Sequence, residues 1–279
     1  MINGPSTITV AGADLYCDSA GERGSAVLLV HAGNTDSSMW DGQFEWLSQR
    51  YRVLRSDLRG FGRSSLPPGQ FSCADDLAEL ITRWGAGPVV VVGASAGARI
   101  GLELTLLHPD LVRGLVLAAP ITRRHQWSDY LLRARAEEQA ALDAGVVPAA
   151  IESVMRTWLA GPHRRLEDVD PVLLNRLRAT QRTAYQVQRA ADAGGQAPGP
   201  DLEPQPPAEE RWSEITVPTK ILVGDLDVPD ALEIANILAK SIAGACLDVI
   251  PNAAHMVTME RGPEFLELTE RFVDSLALR

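Results

Sequence analysis

The stretch that most constrains the fold covers residues 89–97, Val-Val-Val-Val-Gly-Ala-Ser-Ala-Gly. Four consecutive β-branched residues are typical of a strand that is buried on both faces of a sheet. The next five residues match Gly-x-Ser-x-Gly, a sharp strand-to-helix turn that exposes a serine hydroxyl at the end of a sheet. Residues 98–108 are mostly apolar and precede Pro109, which predicts a helix that ends there. Ser95 is therefore a candidate nucleophile, and the alternative is a tight turn with an idle serine.

Short apolar segments alternate with helical segments on both sides of this turn. Strands are predicted over residues 26–31, 51–57, 89–92, 114–118, 219–223 and 246–250. Helices are predicted over residues 39–49, 74–84, 98–108, 229–242 and 262–277. This alternation predicts an α/β fold with a mostly parallel central sheet and helices on both faces.

The alternation stops between about residue 121 and residue 212. That region contains helical segments at 127–144, 148–159 and 171–191, and it shows no convincing strand. Residues 194–207 are rich in Gly and Pro and predict a long, mobile connection. We therefore expect one α/β core domain, residues 1–120 and 213–279, that carries a helical cap insertion over residues 121–212.

Composition narrows the range of partners. A net charge of −10 argues against nucleic acid as the main partner. No apolar run approaches the ~20 residues of a membrane span, and the first residues lack the basic and apolar regions of a signal peptide. Cys17, Cys73 and Cys246 are far apart and lack metal-ligand spacing. We expect a cytoplasmic chain with no membrane partner and no metal site.

A serine hydroxyl needs a base, and the base needs an orienting carboxylate. In a sheet of this kind the partners follow in the order Ser, Asp or Glu, His, after the carboxyl ends of strands. Asp227 and His255 each follow one of the last two predicted strands. Asp225 and Asp230 are rivals of Asp227, although Asp225 could instead brace the turn through nearby backbone N–H groups.

Negative charge that develops on the substrate oxygen needs hydrogen-bond donors. One is expected to be the backbone N–H of Ala96, directly after the candidate nucleophile. The second is expected from the loop His-Ala-Gly-Asn-Thr at residues 31–35, where Gly33 allows close approach of the backbone. The alternative is that this loop is a simple glycine-containing turn.

These motifs together resemble the α/β-hydrolase-fold family, of the lactonase, esterase and C–C hydrolase type, and the overall layout is similar to enol-lactonases. The resemblance covers nearly the whole chain outside the insertion. It rests on Leu-Leu-Val-His-Ala-Gly-Asn at 28–34, Asp-Leu-Arg-Gly-Phe-Gly-Arg-Ser at 57–64, the turn at 93–97, Gly-Asp-Leu-Asp at 224–227 and Ala-His at 254–255. The family usually has His-Gly where this chain has His31-Ala32, which leaves the register of the oxyanion loop open by one residue.

The resemblance implies a serine hydrolase that cleaves a small-molecule ester or lactone through Ser95, His255, Asp227 and an acyl-enzyme. It implies neither a metal nor an organic cofactor. Three alternatives stay open: a non-hydrolytic enzyme of the same fold (a cyclase, acyltransferase or perhydrolase), a thioesterase, and a catalytically silent ligand-binding protein. A homodimer also stays open.

The insertion is expected to shape the pocket. Its aromatic candidates, each more often a core residue than a substrate contact, are Trp127, Tyr130, Trp158 and Tyr185. Two arginine pairs offer a way to attract a carboxylate-bearing substrate, although such pairs are usually solvated surface. They are Arg123 with Arg124 and Arg164 with Arg165.

Overall fold

The computed structural model describes residues 2–193 and 198–277 of the chain. The strands in these ranges are β1 (Ser6–Val10), β2 (Ala13–Ala20), β3 (Ala26–Val30), β4 (Arg52–Ser56), β5 (Gly69–Phe71), β6 (Val89–Ala94), β7 (Val112–Ala118), β8 (Pro198–Asp201), β9 (Thr219–Gly224) and β10 (Cys246–Ile250). The helices are α1 (Asp41–Leu47), α2 (Cys73–Trp84), α3 (Ala96–Leu107), α4 (Asp129–Asp143), α5 (Val147–Val154), α6 (Pro171–Ala193), α7 (Pro229–Ser241), α8 (Val257–Glu260) and α9 (Gly262–Ala277).

Eight of these strands form the central sheet, in the order β1-β2-β4-β3-β6-β7-β9-β10. β2 pairs antiparallel with β1 and β4, and every neighbouring pair from β4 to β10 is parallel. The mostly parallel α/β sheet expected from the alternation is thus confirmed. β1 and β2 were not expected, because β1 alternates exposed and buried residues and lacks a continuous apolar run.

The valine run of β6 supplies both faces of the sheet. Val89 and Val91 belong to the core that includes buried residues of α2, α3 and α7. Val90 and Val92 belong to the opposite core, with buried residues of α5, α6 and α9. Since successive side chains of a strand point to opposite faces, a strand between two helical layers needs apolar residues at every position.

A second, two-stranded sheet pairs β5 with β8 in parallel. The expectation that residues 121–212 contain no strand is therefore wrong. The two strands are short, Gly-Gln-Phe in β5 and Pro-Gly-Pro-Asp in β8, so neither has the β-branched composition that marks a strand in a sequence. Of the connection predicted to be mobile, residues 194–197 lie outside the described residues. From Pro198 onward the chain is held, since the Asp201 carboxylate accepts the Cys73 N–H (2.9 Å) and pairs with Arg99 (3.1 Å).

The helical segment between β7 and β9 packs onto the carboxyl end of the sheet. Its buried residues Val154, Met155 and Leu159 belong to the same core as Val92 and Ala118, which lie at the ends of β6 and β7. Val154 of α5 and Trp158 of the π-helical turn that follows it line the same cavity as Ser95, which places these elements above the Gly-x-Ser-x-Gly turn. No helix in the two described ranges is both long and apolar enough to span a membrane.

Candidate active site

Ser95 lies at the junction of β6 and α3, in a backbone conformation that L-amino acids rarely adopt. Its φ is 53° and its ψ is −113°. Such a conformation costs on the order of 1–3 kcal/mol and persists only where the surroundings enforce it. Here the Ser95 N–H donates to Ala118 O (2.8 Å), and the Ser95 carbonyl accepts from Ala98 N (3.0 Å). These two hydrogen bonds hold the Ser95 turn between the end of β7 and the first turn of α3.

The glycines on either side of the turn make this geometry sterically feasible. A Cβ at Gly93 would lie 2.4 Å from the Gly97 carbonyl oxygen, and a Cβ at Gly97 would lie 2.3 Å from Val30 O. Real Cβ atoms do not approach a backbone oxygen so closely. The two glycines of the motif are therefore required by the close packing of β3, β6 and α3.

Ser95, His255 and Asp227 lie in hydrogen-bonding sequence. The Ser95 Oγ is 2.8 Å from His255 Nε2, and His255 Nδ1 is 3.0 and 3.1 Å from the two carboxylate oxygens of Asp227. The three side chains are almost fully buried. With the Nδ1 proton donated to Asp227, His255 Nε2 is the acceptor for the Ser95 hydroxyl, which is the tautomer that a general base needs.

Two loops that follow β9 and β10 bring the acid and the base together. The Leu226 N–H donates to Ala253 O (2.9 Å), and the Ala253 N–H donates to the Asp225 carboxylate (3.4 Å). Asp225 thus braces the loops, and Asp227, two residues later, faces His255. The structure therefore separates the two acidic candidates of this turn by their contacts.

Asp230, the other rival, holds a different part of the fold. Its two oxygens accept the Ser128 N–H (2.7 Å) and the Ser128 Oγ hydrogen (2.5 Å). The carboxylate therefore anchors the start of α4 to the start of α7, away from His255.

Gly33 and Ala96 lie together beside the nucleophile. Both line the same cavity as Ser95, and a Cβ on Gly33 would be 3.4 Å from the Ala96 Cβ. Ala96 is the first residue of α3, whose amide has no acceptor within the helix. The Ala32 N–H, one residue before Gly33, instead donates to Met39 Sδ (3.3 Å). This contact favours Gly33 over Ala32 as the loop's free donor.

The cavity over Ser95 has a volume of about 180 Å³. The Trp158 ring forms part of its wall and lies 4.4 Å from the His255 ring, centroid to centroid. The lining residues are Gly33, Asn34, Ser95, Ala96, Ile121, Glu138, Val154, Trp158, Gln181 and His255. Larger clefts lie elsewhere on the surface, and neither the one beside β10 nor the one between α4 and α5 includes any of the three hydrogen-bonded side chains.

The aromatic and arginine candidates between β7 and β9 differ in whether they lie at the cavity over Ser95. Trp158 lines the cavity, and Tyr185 donates to the cavity residue Glu138 (2.5 Å). Trp127 contacts His125 edge to face, and Tyr130 lines the cleft between α4 and α5. All four arginines form ion pairs, which are Arg123 with Glu103 and Asp201, Arg124 with Glu203, Arg164 with Glu260, and Arg165 with Asp168.

His31 and Asp57 brace the loops around the site. His31 Nε2 accepts the Leu58 N–H (2.9 Å), so its other ring nitrogen carries the hydrogen and donates to Ala32 O (2.8 Å). Burial lowers the pKa of His31, which keeps the ring neutral. Asp57 accepts the backbone N–H groups of Ser37 (2.8 Å) and Arg63 (2.9 Å).

Glu138 and Glu260 were not found by sequence reasoning. Glu138 enters the cavity wall from α4, and Glu260 accepts the N–H of Ala254, next to His255, at 2.9 Å. No motif marks either residue, because Glu138 contacts Tyr185 and Glu260 pairs with Arg164, each in a segment remote in the sequence. Among residues 2–193 and 198–277, no group of three or more His, Cys, Asp and Glu residues is arranged to hold a metal ion.

Comparison with known proteins agrees with this geometry. Residues 27–268 match the family model described as the alpha/beta hydrolase family. A curated relative, (E)-2-((N-methylformamido)methylene)succinate hydrolase from Acinetobacter baylyi, is 26% identical over 85% of this chain and 85% of that protein. Est816, described as an N-acyl homoserine lactone degrading enzyme, superposes with a TM-score of 0.74 at 26% identity, over 96% of this chain and 100% of that one.

The likeness to an enol-lactonase extends to the fold. The enol-lactonase from Burkholderia xenovorans LB400 superposes with a TM-score of 0.75 at 24% identity, over 96% of this chain and 100% of that chain. The family match covers most of the sequence and includes the Ser95 turn, Asp227 and His255. The chain therefore belongs to the alpha/beta hydrolase family.

Proposed function

We propose that this protein hydrolyses a small-molecule ester or lactone, with Ser95 as nucleophile, His255 as general base and acid, and Asp227 as the carboxylate that orients His255. The observation that carries the proposal is the continuous hydrogen-bonded path from Ser95 Oγ to His255 Nε2 (2.8 Å) and from His255 Nδ1 to Asp227 (3.0 Å). The similarity to a lactone-degrading enzyme supports an ester or lactone as the substrate.

The geometry suggests the following order of events. As the Ser95 oxygen attacks the carbonyl carbon, its proton passes to His255 Nε2, and the buried Asp227 stabilises the imidazolium that forms. In this proposal the Gly33 and Ala96 N–H groups receive the developing oxyanion. His255 then protonates the leaving oxygen, and water, activated by the same base, releases the acid from the acyl-enzyme.

We further propose that residues 121–212 act as a cap that shapes the pocket and limits the access of water. Ile121, Glu138, Val154, Trp158 and Gln181 come from this region and form half of the cavity wall. A cap that closes the site strengthens the electrostatic interactions within it. Its residues also select the substrate, because the core side of the cavity consists mainly of the reacting groups.

A fluorophosphonate probe tests the nucleophile. Wild type is expected to bind one equivalent of probe, and Ser95→Ala none. Ser275→Ala, which removes a serine hydroxyl on the exposed face of α9, is expected to label like wild type. Labelling of Ser95→Ala at the wild-type level would reject the assignment.

A panel of aryl esters and lactones tests the reaction. Ser95→Ala is expected to lower kcat by about 10⁶, since the three groups act as a unit. Asp227→Asn is expected to lower kcat by about 10⁴ through loss of the productive His255 tautomer. Identification of the products separates hydrolysis from acyl transfer to another acceptor, and activity that survives Ser95→Ala would exclude the mechanism.

A further inference from the structure

Glu138 is the one carboxylate in the described wall of the cavity over Ser95, and no lysine or arginine lines that wall. Its Oε1 accepts the Tyr185 hydroxyl hydrogen (2.5 Å). This contact is with a neutral donor, which brings no positive charge to the carboxylate. Arg156, in the π-helical turn after α5, pairs with Glu137 (3.8 Å) instead. The cavity therefore contains a carboxylate without an opposing cation.

The arginines that sequence reasoning offered as attractors of an acidic substrate do not reverse this charge. Each is paired with a carboxylate of the protein, and none lines the cavity. The whole chain also carries a net charge of −10, which adds repulsion at longer range. An anionic group that entered the cavity would meet like charge and find no cation.

The size of the cavity and the chemistry of Glu138 define the complementary group. A volume of about 180 Å³ is below the ~300–1,000 Å³ of sites for drug-sized ligands, so only a small part of a molecule enters. A carboxylate only accepts hydrogen bonds, so a group that binds to it must present an N–H or O–H hydrogen. The matching group is therefore compact, free of negative charge and a hydrogen-bond donor.

From this arrangement we infer that the site selects esters or lactones whose acyl part carries an N–H or O–H donor and no negative charge, and that Glu138 excludes carboxylate-bearing substrates. The inference rests on the proposed hydrolysis at Ser95 and adds the substrate class. Glu138 is here a specificity-determining residue that contacts the substrate and takes no part in proton transfer.

Three γ-butyrolactones of equal heavy-atom count test the selection, with carboxamide, carboxylate or isopropyl at the ring position β to the carbonyl. Proton release gives kcat/KM for each. Wild type is expected to favour the carboxamide over the carboxylate by at least about tenfold, because like charges repel across a partly desolvated site. The isopropyl compound is expected between them. Equal values for carboxamide and carboxylate would overturn the inference.

Glu138→Gln and Glu137→Gln form a matched pair of variants. Both remove one negative charge from α4, but Glu137 is exposed and does not line the cavity. Glu138→Gln is expected to bring the carboxylate and the carboxamide within about threefold of each other, because the repulsion is removed. Glu137→Gln is expected to keep the wild-type ratio. An unchanged ratio in a folded Glu138→Gln protein would also overturn the inference.

Two further measurements do not depend on that variant folding, and the second of them does not depend on turnover. In wild type, raising the salt concentration from about 0.01 M to about 1 M is expected to improve the carboxylate relative to the carboxamide, since salt screens the repulsion; an unchanged ratio would contradict the inference. Calorimetry of Ser95→Ala with the three lactones measures the binding affinity of each in the absence of hydrolysis. Absence of turnover in wild type with carboxamide-selective binding would reject the proposed function alone, whereas equal binding of carboxamide and carboxylate would reject the selection alone.

Discussion

Arg164 and Glu260 form a 2.6 Å ion pair that joins the helical segment between β7 and β9 to α8, the short helix that directly follows the His255 loop. The Arg164 guanidinium also donates to Leu159 O (2.6 Å), one residue from the tryptophan that packs on His255. Glu260 in turn accepts the Ala254 N–H (2.9 Å). The Arg164–Glu260 pair thus holds the segment that carries Trp158 in a fixed position relative to His255.

Removal of the arginine is therefore expected to disturb both elements. Burial already raises the pKa of Glu260, while Arg164 acts to lower it. Arg164→Met should leave the carboxylate without its cation and cost about 2–4 kcal/mol in the free energy of unfolding, measured in urea. A several-fold loss of kcat should accompany it as His255 loses its fixed position. Arg165→Met is the control, because Arg165 is exposed and pairs weakly with Asp168 (3.6 Å). Equal effects of the two variants would contradict the positioning role.

Substitution of the two motif glycines is expected to destabilise the fold. Gly93→Ala and Gly97→Ala each place a methyl group within 2.4 Å of a backbone oxygen that cannot move freely. The cost should be about 1–3 kcal/mol or more, as for other overpacked cores. Gly42→Ala, in α1, meets nothing within 4 Å and should be neutral or slightly stabilising. Thermal unfolding of the three variants tests this, and wild-type stability of Gly97→Ala would refute the steric argument.

The small sheet of β5 and β8 is expected to depend on Asp201. Its carboxylate pairs with Arg99 and Arg123 and accepts the Cys73 N–H, in a largely buried network that includes Glu103. Asp201→Asn should lower the free energy of unfolding by about 2–3 kcal/mol and speed proteolysis at residues 198–207.

Glu203→Gln provides the comparison for Asp201, since it breaks an ion pair in the same segment whose arginine, Arg124, is exposed. Its effect should stay within about 1 kcal/mol. Similar proteolysis of the two variants would show that Asp201 does not hold the strand.

His31 is expected to make the fold sensitive to acid. Burial lowers its pKa in the folded chain below the ordinary 6.5, whereas the unfolded chain binds the proton near pH 6.5. Below about pH 6.5 the unfolded state thus binds more protons, and the free energy of unfolding falls as the pH falls, by up to about 1.4 kcal/mol per pH unit from this group. Urea unfolding between about pH 5 and pH 7.5 measures the slope.

Two histidine variants test whether His31 accounts for the pH dependence of the free energy of unfolding. His31→Gln should be less stable near neutrality, since it loses a buried hydrogen bond, but should show a flatter dependence on pH. His163→Gln, at an exposed position, should keep the wild-type slope. A His31→Gln slope equal to that of wild type would assign the acid sensitivity to other groups.

The central sheet and the Ser95 turn could be predicted from local sequence. The four valines of β6 and the alternation of apolar strands with helices predict a parallel sheet between two helical layers, because each strand must be apolar on both faces. The Gly-x-Ser-x-Gly turn predicts the position of Ser95, because its strained backbone needs glycines within two residues. In both cases the cause lies in residues that are neighbours in the chain.

The small sheet and the charged groups around the cavity were missed for the opposite reason. β8 is defined by pairing with β5, more than a hundred residues earlier, and its Pro and Gly give no strand signal. The four arginines at 123, 124, 164 and 165 were open to two interpretations until the structure showed each beside its own carboxylate. Side chains of this kind take their role from partners that no local pattern names.

The sequence by itself determined that Ser95 stands at the end of a buried strand, because steric limits on a few adjacent residues enforce that turn. It also limited the acidic partner to Asp225, Asp227 or Asp230, all within one short stretch of chain. Only the tertiary structure decided that Asp227 faces His255 and that Glu138 faces the cavity. These outcomes depend on which segments pack together, and packing is a property of the whole chain.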